Sequence, residues 1–375
     1  MKILVLATHP LQDNRISKML KTVRTAGHDV TYINISTQQQ IAPGWLQGIK
    51  VVKYCFELRK KSIFKAVPLF VRLSRYIMRE KPDIVHVHDP YLIPLLIVAK
   101  HRGGMTVFDK HEAYETISGF AGESAAWCEK HFNRYIDGIV YVTKAQEEYI
   151  SRFSYGSQKL IPNYQSEEEF SKAAVEPHAG IRLFYAGDLS DVSRNTLVML
   201  ELVEAALRRY PYVSCTIAGG TREIAVKQKI DEMAEHLSNF HYVDYMLYSD
   251  VIYYTKNADI GLYLTKYDRN NVGSSPNKIN EYLMAGIAIF TQGRFAEWEL
   301  IDGKAGVVYD YSVNFDDMYV GLCKLIEDSR AIEKMKLASR ALGKARTWES
   351  VEKRYLELYA ELMMQRIETE EKQAM

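Results

Sequence analysis

A glycine- and serine-rich loop that leads into a helix is the most informative segment of this 375-residue sequence. The loop is Gly273-Ser274-Ser275, and the helical pattern runs over Pro276–Ala285. Serine is favoured at the N-cap and proline at the first helical position, so we predict that Ser275 caps the helix and Pro276 begins it. Gly286 is typical of the residue that ends a helix. The backbone N–H groups at such a helix start form an anion site.

Two charged residues in this helix extend the argument. Lys278 lies in the first turn, where the helix dipole alone would favour an acid, so a bound anion would explain a cation there. Glu281 follows on the same helical face, roughly 9 Å from Ser275 along the axis at about 1.5 Å per residue. A diphosphate at the helix start with its ribose at the carboxylate fits that spacing. A capped surface helix with an incidental Lys–Glu pair fits the same residues, and both interpretations stay open.

A second group of polar residues follows predicted strands in the first half of the chain. His86 and His88 alternate on one side of a strand, and Asp89 comes directly after it. This pattern occurs in metal sites, but no further ligand is evident in the sequence, so we expect no metal. We expect His88 and Asp89 to border a ligand site at the carboxyl end of the strand, and His86 to be a core histidine with its hydrogen bonds satisfied.

His111 and Glu112 follow the next predicted strand. His111 is a candidate ligand contact, with a histidine bonded to its own loop as the alternative. Glu112 either orients a bound hydroxyl or caps the helix after it.

Short apolar runs alternate with helical patterns along the whole chain. Near-continuous apolar strands between helices are typical of parallel sheets that are covered on both faces. The predicted strands are Lys2–Ala7, Asp29–Ile35, Asp83–His88, Thr106–Asp109, Ile139–Thr143, Ile181–Ala186, Val213–Ala218, Phe240–Val243, Asp259–Leu264, Ala288–Thr291 and Gly306–Asp310.

A polar, acidic stretch divides this alternation into two halves. Residues Gln165–Gly180 contain Pro177 and are typical of a linker. We therefore predict a first domain over 1–164, a linker over 165–180 and a second domain over 181–345. Two parallel-sheet domains predict a cleft at the carboxyl ends of their strands, where such sheets bind ligands.

Composition excludes several classes of protein. The chain is 47% hydrophobic and 25% charged, with 48 Lys and Arg against 47 Asp and Glu, so no overall field favours nucleic acid. Four separated cysteines suit a reducing compartment. The amino-terminal apolar run is too short for a signal peptide, and no stretch reaches the ~20 residues of a membrane span. We expect a cytoplasmic protein.

Residues 50–81 depart from this charge balance. They hold ten Lys and Arg against Glu57 and Glu80, a local charge of +8 in a chain of net +1. Several of the basic residues recur at helical spacing, so a basic amphipathic helix that contacts anionic lipid is one interpretation, and a solvated helix face is the other. No recognition motif for nucleic acid accompanies them.

The segment around Lys278 resembles the donor-site motif of GT-B glycosyltransferases, especially family 4. In that family a glutamate at the position of Glu281 holds the ribose of a nucleotide sugar. Many members carry a second glutamate eight positions earlier, where this chain has Gly273. The chain is closer to a subgroup with Pro276-Asn277-Lys278 before the ribose glutamate, which makes Lys278 the expected phosphate partner.

Other segments resemble the family in the same order. They are Asp13-Asn14-Arg15, Ala26–Val30, Asp83–Asp89, Phe108–Glu112, Tyr185–Arg194 and Trp348-Glu349. In the phosphate segment Asp188 replaces the usual Arg, and Arg194 stands about one residue from the position of a Lys.

The resemblance implies an α/β fold of two Rossmann-like domains facing a cleft. The first domain would bind the acceptor and the second the nucleotide sugar. The carboxy-terminal residues 346–375 would form a helix that packs back on the first domain.

The resemblance also implies a transferase of EC class 2.4, for hexosyl or N-acetylhexosaminyl groups. It would move a sugar from a nucleotide sugar, a UDP-sugar by expectation, to a glycan, lipid-linked or protein acceptor in polysaccharide biosynthesis. Retention of configuration is implied, with no cofactor and no metal, and the absence of any Asp-x-Asp agrees with a metal-free site. If residues 50–81 contact lipid, the protein would be peripheral at the inner face of the membrane.

The implied site residues fall into three groups. The catalytic group is His111, Arg194 and Lys278. The donor-binding group is Gly187, Arg194, Ser274, Ser275, Pro276, Asn277, Lys278 and Glu281. The acceptor-side group is Asp13, Arg15, His88, Asp89 and Glu112.

Two other functions remain open at this point. One is a catalytically silent GT-B partner or chaperone subunit, suggested by Gly273 and Asp188. The other is a UDP-sugar 2-epimerase, which shares the fold. The oligomeric state is not determined by the sequence.

Overall fold

The computed structural model describes residues 1–11, 13–36, 46–56, 63–117 and 119–374. The chain divides into two compact units. Unit 1 comprises Met1–Pro162 together with Val351–Met375, and unit 2 comprises Asn163–Ser350.

Unit 1 is built on a parallel sheet. Within the described ranges it has seven strands in the order β3-β2-β1-β4-β5-β6-β7. The strands are β1 (Lys2–Ala7), β2 (Asp29–Ile35), β3 (Lys50–Tyr54), β4 (Ile84–Val87), β5 (Met105–Lys110), β6 (Gly138–Tyr141) and β7 (Ser157–Leu160). Its helices are α1 (Asn14–Thr25), α2 (Ile63–Glu80), α3 (Leu96–His101), α4 (Gly119–Phe132) and α5 (Glu147–Ile150).

Unit 2, all of whose residues are described, repeats the design. Its six parallel strands follow the order β10-β9-β8-β11-β12-β13. They are β8 (Ile181–Ala186), β9 (Val213–Ala218), β10 (Phe240–Val243), β11 (Ile260–Leu264), β12 (Ala288–Gln292) and β13 (Gly306–Tyr309). The helices are α6 (Glu167–Ser171), α7 (Asp191–Arg194), α8 (Thr196–Arg209), α9 (Ile224–His236), α10 (Tyr248–Lys256), α11 (Asn277–Ala285), α12 (Phe315–Glu327), α13 (Ser329–Lys344) and α14 (Trp348–Val351).

The predicted fold class of two parallel α/β domains is therefore confirmed. Every predicted strand is present, and β1, β2, β8, β9 and β10 have the predicted bounds. The apolar runs predict central strands well because both faces of a central strand are buried. The edge strands β3 and β7 were missed because their lysines and polar residues interrupt any apolar run.

The last helix, α15 (Lys353–Ala374), belongs to unit 1. It packs on β5, β7 and α1. Tyr355, Leu358, Tyr359 and Leu362 have no exposed surface and recur at i, i+3, i+4 and i+7, which is the apolar stripe of an amphipathic helix. The expected return of the C-terminal helix to the first domain is thus observed.

Two segments differ from the sequence predictions. Part of the stretch predicted as a linker, residues 165–180, forms α6. Phe170 on α6 is buried, and its backbone carbonyl accepts a hydrogen bond from Lys256 on α10. The idea of one basic helix over residues 50–81 is wrong at its start, because Lys50 and Lys53 lie on β3. The basic residues 59–61 lie outside the described residues.

The described helices include none that is long and apolar enough to cross a membrane.

Burial of α15 should contribute measurably to the stability of unit 1. We expect Leu358→Ala to lower the free energy of unfolding by about 2–5 kcal/mol, since Leu358 is fully buried and the change leaves a cavity. Urea unfolding measures this. Met364→Ala on the same helix is the control, because Met364 is 56% exposed; equal effects of the two changes would contradict the packing described.

Candidate active site

The helix that carries Lys278 begins one residue later than the sequence predicts. α11 starts at Asn277, Pro276 is its N-cap, and no side chain caps it. Ser275 is therefore not the cap; its hydroxyl accepts a hydrogen bond from Asn280 Nδ2 at 3.3 Å. Gly286 ends the helix with a φ of 73°, as expected. A proline N-cap has no side-chain acceptor, so the first-turn N–H groups stay oriented toward an external acceptor.

A close ring contact fixes α11 against the sheet. Tyr282 is fully buried, and its hydroxyl donates to the carbonyl of Leu262 on β11 at 2.8 Å. A side chain at Gly261 would lie 2.6 Å from the Tyr282 ring, so only glycine fits at that strand position. The start of α11 is thus held at the carboxyl edge of the unit 2 sheet.

The charged pair on α11 is formed as the spacing predicts. Lys278 Nζ lies 2.7 Å from Glu281 Oε2, and Glu281 is only 3% exposed while Lys278 is 20% exposed. Burial of the carboxylate keeps the ammonium group in one place at the helix start.

One glycine loop lies beside this pair, and a second adjoins the first. A Cβ added at Gly187, after β8, would lie 3.5 Å from Lys278 Cε, so the predicted loop and the lysine are neighbours. Gly219, after β9, has a φ of 138°, and a side chain there would overlap the Gly187 carbonyl. The sequence analysis did not name Gly219 as a site residue, although its place at the carboxyl end of a predicted strand could have indicated it.

Arg194 lies at the end of α7, in the loop that follows β8. Its guanidinium donates to the Tyr263 hydroxyl at 2.8 Å. The next residue, Asn195, adopts the left-handed conformation with a φ of 47°. Asp188, which stands where the family has a cation, is exposed. In unit 2, Lys278 therefore lies beside the loop at Gly187, and Arg194 is hydrogen-bonded to Tyr263 of β11.

The carboxyl edge of the unit 1 sheet carries a cluster of polar residues from β1, β4, β5 and the loops after them. The members are His9, Asp13, Arg15, His86, His88, Asp89, Asp109 and His111. Parallel strands bring these residues to one edge from distant parts of the chain.

Asp109 is the centre of this cluster. It is fully buried, and Arg15 NH2 lies 3.0 Å from Oδ1 while the Tyr355 hydroxyl donates to Oδ2 at 2.6 Å. Burial acts to raise the pKa of Asp109, but the charge of Arg15, the nearby His111 and His86 and the Tyr355 hydrogen bond together outweigh burial and lower the pKa. The carboxylate is therefore ionised and held from both sides.

The histidines around Asp109 are held neutral by burial. His88 Nδ1 and His111 Nε2 share a hydrogen bond of 2.8 Å, and the Tyr359 hydroxyl bonds His86 Nδ1 at 2.6 Å. Burial lowers the pKa of His86 and of His111 to about 4, and that of His88 well below its ordinary value.

One subset of the cluster has the spacing of metal ligands. His86, His88 and Asp109 offer ligand atoms that lie within 4.8 Å of one another. Asp109 supplies the third group that the sequence lacked. Arg15 and the Tyr355 hydroxyl already hold that carboxylate, and a guanidinium 3.0 Å away opposes a second cation.

The predicted acceptor-side residues separate by depth. Arg15, His88 and Asp89 are 5% exposed or less, so in this structure they contact other protein groups. Asp13 is half-buried and Glu112 is exposed. The side chain of His111 is 8% exposed, which is intermediate between these two groups.

His9 is a member of the cluster that sequence reasoning missed. It follows β1, with Nδ1 3.5 Å from Asp13 Oδ2 and Nε2 3.4 Å from Asp89 Oδ1. Its ring centroid lies 5.1 Å from that of His111. Its place just past the carboxyl end of a predicted strand was the signal that could have identified it.

The lowered histidine pKa values predict acid sensitivity. The folded-state pKa of His86 and His111 is about 4, below the unfolded value of about 6.5, so the unfolded chain takes up protons first as pH falls. The contribution of these two histidines to the free energy of unfolding is then fully present above about pH 6.5 and is lost as the pH falls toward 4. Urea unfolding at pH 7.5 and pH 5 measures the loss.

In His111→Gln this loss should be smaller, whereas exposed His101→Gln should keep the wild-type dependence. A wild-type stability that does not change between the two pH values would contradict the neutral, buried cluster.

Residues 14–163 match the model of Glycosyltransferase Family 4. No curated protein sequence matches the chain.

Solved structures share the architecture at low sequence identity. Sucrose-phosphate synthase from Thermosynechococcus elongatus has a TM-score of 0.73 and 14% identity, covering 97% of this chain and 100% of that one. HepE from Anabaena, in complex with UDP and glucose, has a TM-score of 0.73 and 13% identity, covering 95% and 98%. A putative UDP-N-acetylglucosamine 2-epimerase from Listeria monocytogenes has a TM-score of 0.63 and 13% identity, covering 90% and 91%.

These likenesses extend over both units and include the two parallel-sheet α/β domains and the helical C-terminus. The chain accordingly has the GT-B glycosyltransferase fold, and its first domain matches Glycosyltransferase Family 4.

Proposed function

We propose that the protein is a glycosyltransferase that moves a sugar from a UDP-sugar to a hydroxyl group of a glycan, lipid-linked or protein acceptor. The observation that carries this proposal is Lys278 at the uncapped start of α11, next to the loop at Gly187. A helix start, a lysine and a glycine loop together favour a diphosphate.

The donor would bind to unit 2 through its diphosphate and its ribose. The first-turn N–H groups of α11 and the ammonium of Lys278 would hold the phosphate oxygens. Glu281 lies one turn further along, where its carboxylate would accept hydrogen bonds from ribose hydroxyls. On donor binding Lys278 would share its contacts between Glu281 and phosphate, because an ammonium group has three donors.

Stabilisation of the leaving diphosphate is the catalytic contribution of this site. The bond from the anomeric carbon to the diphosphate breaks, and negative charge grows on phosphate oxygens. Lys278, the α11 dipole and Arg194 would stabilise that charge from fixed positions, which is electrostatic preorganisation. We propose retention of configuration and a metal-free reaction on the strength of the family resemblance.

Unit 1 would bind the acceptor and the transferred sugar at the carboxyl edge of its sheet. His111 is held by its bond to His88, so its ring has one orientation. Asp13 and Glu112 would bind acceptor hydroxyls. Buried Arg15, His88 and Asp89 would support the acceptor side indirectly, through their hydrogen bonds to Asp109, His111 and Thr8.

Two other functions share this fold. A 2-epimerase would turn over a UDP-sugar without an acceptor and give an isomeric sugar. A silent partner subunit would bind a nucleotide sugar without turnover. Product analysis by mass spectrometry and NMR, with and without an acceptor, separates both from a transferase.

A change at the donor site tests the proposal. We expect Lys278→Ala to lower affinity for UDP and for the UDP-sugar about 10- to 100-fold, since a charged hydrogen bond contributes about 1.5–3 kcal/mol. Calorimetric titration with UDP, after a thermal-shift screen of UDP-, GDP- and dTDP-glucose, measures this.

Lys227→Ala is the matched control in the same unit. Lys227, like Lys278, pairs with an acidic residue on its own helix, but its pair with Asp231 is exposed, whereas Glu281 is buried. Wild-type UDP affinity in Lys278→Ala would refute the donor site, and failure of all three nucleotide sugars to raise Tm would refute the function.

We also propose that α2 contacts an anionic membrane surface. Val67, Val71 and Met78 are 42–53% exposed and form one stripe along the helix, beside a groove of about 500 Å³. Arg72 and Arg75 lie on the neighbouring stripe and are also exposed.

Arg79, 70% exposed, continues the basic stripe. The opposite face packs Leu69, Leu73 and Ile77 into the unit 1 core. An exposed apolar stripe next to an arginine stripe complements lipid with acidic headgroups.

Vesicle binding tests this surface. We expect binding to vesicles of phosphatidylcholine with 30% phosphatidylglycerol, and at least a tenfold loss in Arg72→Glu/Arg75→Glu, since each basic residue contributes about 1 kcal/mol. Lys324→Glu, an exposed change in unit 2, is the control. Equal binding to vesicles without the acidic lipid would contradict the proposal.

A further inference from the structure

We propose that Lys110 is a positioning residue, which holds the loop that binds the acceptor through an ion pair with Glu115. This acceptor loop, residues 111–115, follows β5 and carries His111 and Glu112. The inference rests on the proposed transferase function, in which these two residues contact the transferred sugar and the acceptor. The sequence analysis gave no role to Lys110 or Glu115, and all the contacts involved lie within unit 1.

Lys110 is a fully buried lysine between the acceptor loop and α4. It is the last residue of β5 and has no exposed side-chain surface. Its Nζ lies 2.7 Å from Oε1 and 2.9 Å from Oε2 of Glu129 on α4, and 2.8 Å from Oε2 of Glu115 in the loop. Glu129 is 2% exposed and Glu115 is 19% exposed. A buried ammonium group needs such partners because removal of a charge from water is unfavourable. The two carboxylates therefore give this ammonium group one position.

Two aromatic rings complete the surroundings of the Lys110 ammonium group. The ring centroids of Tyr114 and Tyr149 lie 5.3 Å and 4.8 Å from Nζ, within the range of cation–π contacts. Burial raises the pKa of Glu129, and the charge of Lys110 opposes that shift. Lys110 and Glu129 thus form a mutually dependent buried pair, and Glu115 reaches this pair from the loop.

The end of β5 is held by buried charges on both faces of the sheet. Successive side chains of a strand point to opposite faces, so Asp109 and Lys110 lie on different sides of β5. Asp109 is bound by Arg15 and Tyr355, while Lys110 is bound by Glu129 of α4. The strand end from which the acceptor loop starts is therefore fixed.

The position of Glu112 depends on anchors on either side of it. Its side chain is exposed and has no hydrogen-bond or ion-pair partner among the described residues. On its amino side, His111 shares a hydrogen bond of 2.8 Å with His88, and on its carboxyl side Glu115 pairs with Lys110. Only residues 112–114 lie between the two anchored residues. Loss of the Lys110–Glu115 pair would therefore change where the Glu112 carboxylate meets an acceptor hydroxyl.

The first test removes only the loop side of the ion pair. Glu115→Ala leaves the buried pair of Lys110 and Glu129 in place, so its Tm should stay close to that of the wild type. UDP release from UDP-glucose is followed with octyl glucoside and with water as acceptors. We expect the KM for octyl glucoside to rise about tenfold, because displacement of a binding group by about 1 Å can cost up to about 100-fold. UDP affinity and UDP release to water should not change. A loss of folded protein would instead lower both rates and leave KM unchanged.

Glu80→Ala is the matched control. Glu80 is 20% exposed and pairs with Lys2 at 2.8 Å, close to the values for Glu115 and Lys110, but this pair stands at the amino end of β1. It should keep the wild-type KM for octyl glucoside. A KM within about twofold of wild type in Glu115→Ala, or an equal rise in both variants, would overturn the proposal.

The second test separates positioning from stability. Lys110→Met leaves buried Glu129 without a counter-ion and should lower Tm. The double variant Lys110→Met/Glu129→Met replaces the buried ion pair by apolar side chains and should recover most of that loss. Its KM for octyl glucoside should nevertheless stay about tenfold above wild type, because Glu115 has lost its partner. Recovery of both Tm and KM in the double variant would overturn the proposal.

Hydrogen exchange measures the hold on the loop without any substrate. In Glu115→Ala, mass spectrometry should show exchange of the amides of residues 111–117 that is at least about tenfold faster than in the wild type. Glu80→Ala should keep the wild-type exchange of the same peptide. Unchanged exchange in Glu115→Ala would contradict the role of the ion pair.

The outcomes separate the two proposals. If Glu115→Ala keeps the wild-type KM while the wild type transfers glucose, Lys110 is not a positioning residue, although the transferase function stands. If the wild type binds no UDP-sugar and releases no UDP, the transferase function fails, and the positioning of an acceptor loop fails with it.

Discussion

A single buried carboxylate organises the functional edge of unit 1. Asp109 receives Arg15 from the first helix and Tyr355 from the last, two residues at opposite ends of the chain. A buried carboxylate without partners would be strongly unfavourable, so the buried position of Asp109 depends on these contacts. Once Asp109 is fixed, the surrounding histidines have neutral, fixed rings. The positions of these histidines along their strands and loops decide which imidazole reaches the surface.

In unit 2, the start of α11 and nearby glycines position the charged residues. Gly261 allows Tyr282 to lie directly on β11, and this contact fixes α11 at the edge of the sheet. Lys278 is then held by a carboxylate that is 3% exposed. Unit 1 thus keeps its histidines neutral through burial, whereas unit 2 presents positive charge at a helix start. Those two environments are the basis on which we propose the acceptor site in unit 1 and the donor site in unit 2.

Much of the fold was predictable because its signals are local. Apolar runs over β1, β2 and β8 reflect burial on both faces, and a glycine after α1 and after α11 ends each helix. The edge strand β3 was not predictable, since a half-exposed strand with lysines has the same composition as a loop. The cap of α11 was predicted one residue too early, because Ser275 bonds Asn280 instead of a first-turn N–H.

The sequence alone determined the two α/β units, the charged pair on α11 and the family likeness, because each depends on spacing within a few residues. Only the tertiary structure decided which of the polar residues are buried and which reach the surface. Arg15, His88 and Asp89, which were predicted on the acceptor side of a ligand site, are buried, while His9 was overlooked and is partly exposed. The physical reason is the order of the parallel strands, which places β1 beside β4 and brings residues about 80 positions apart into contact.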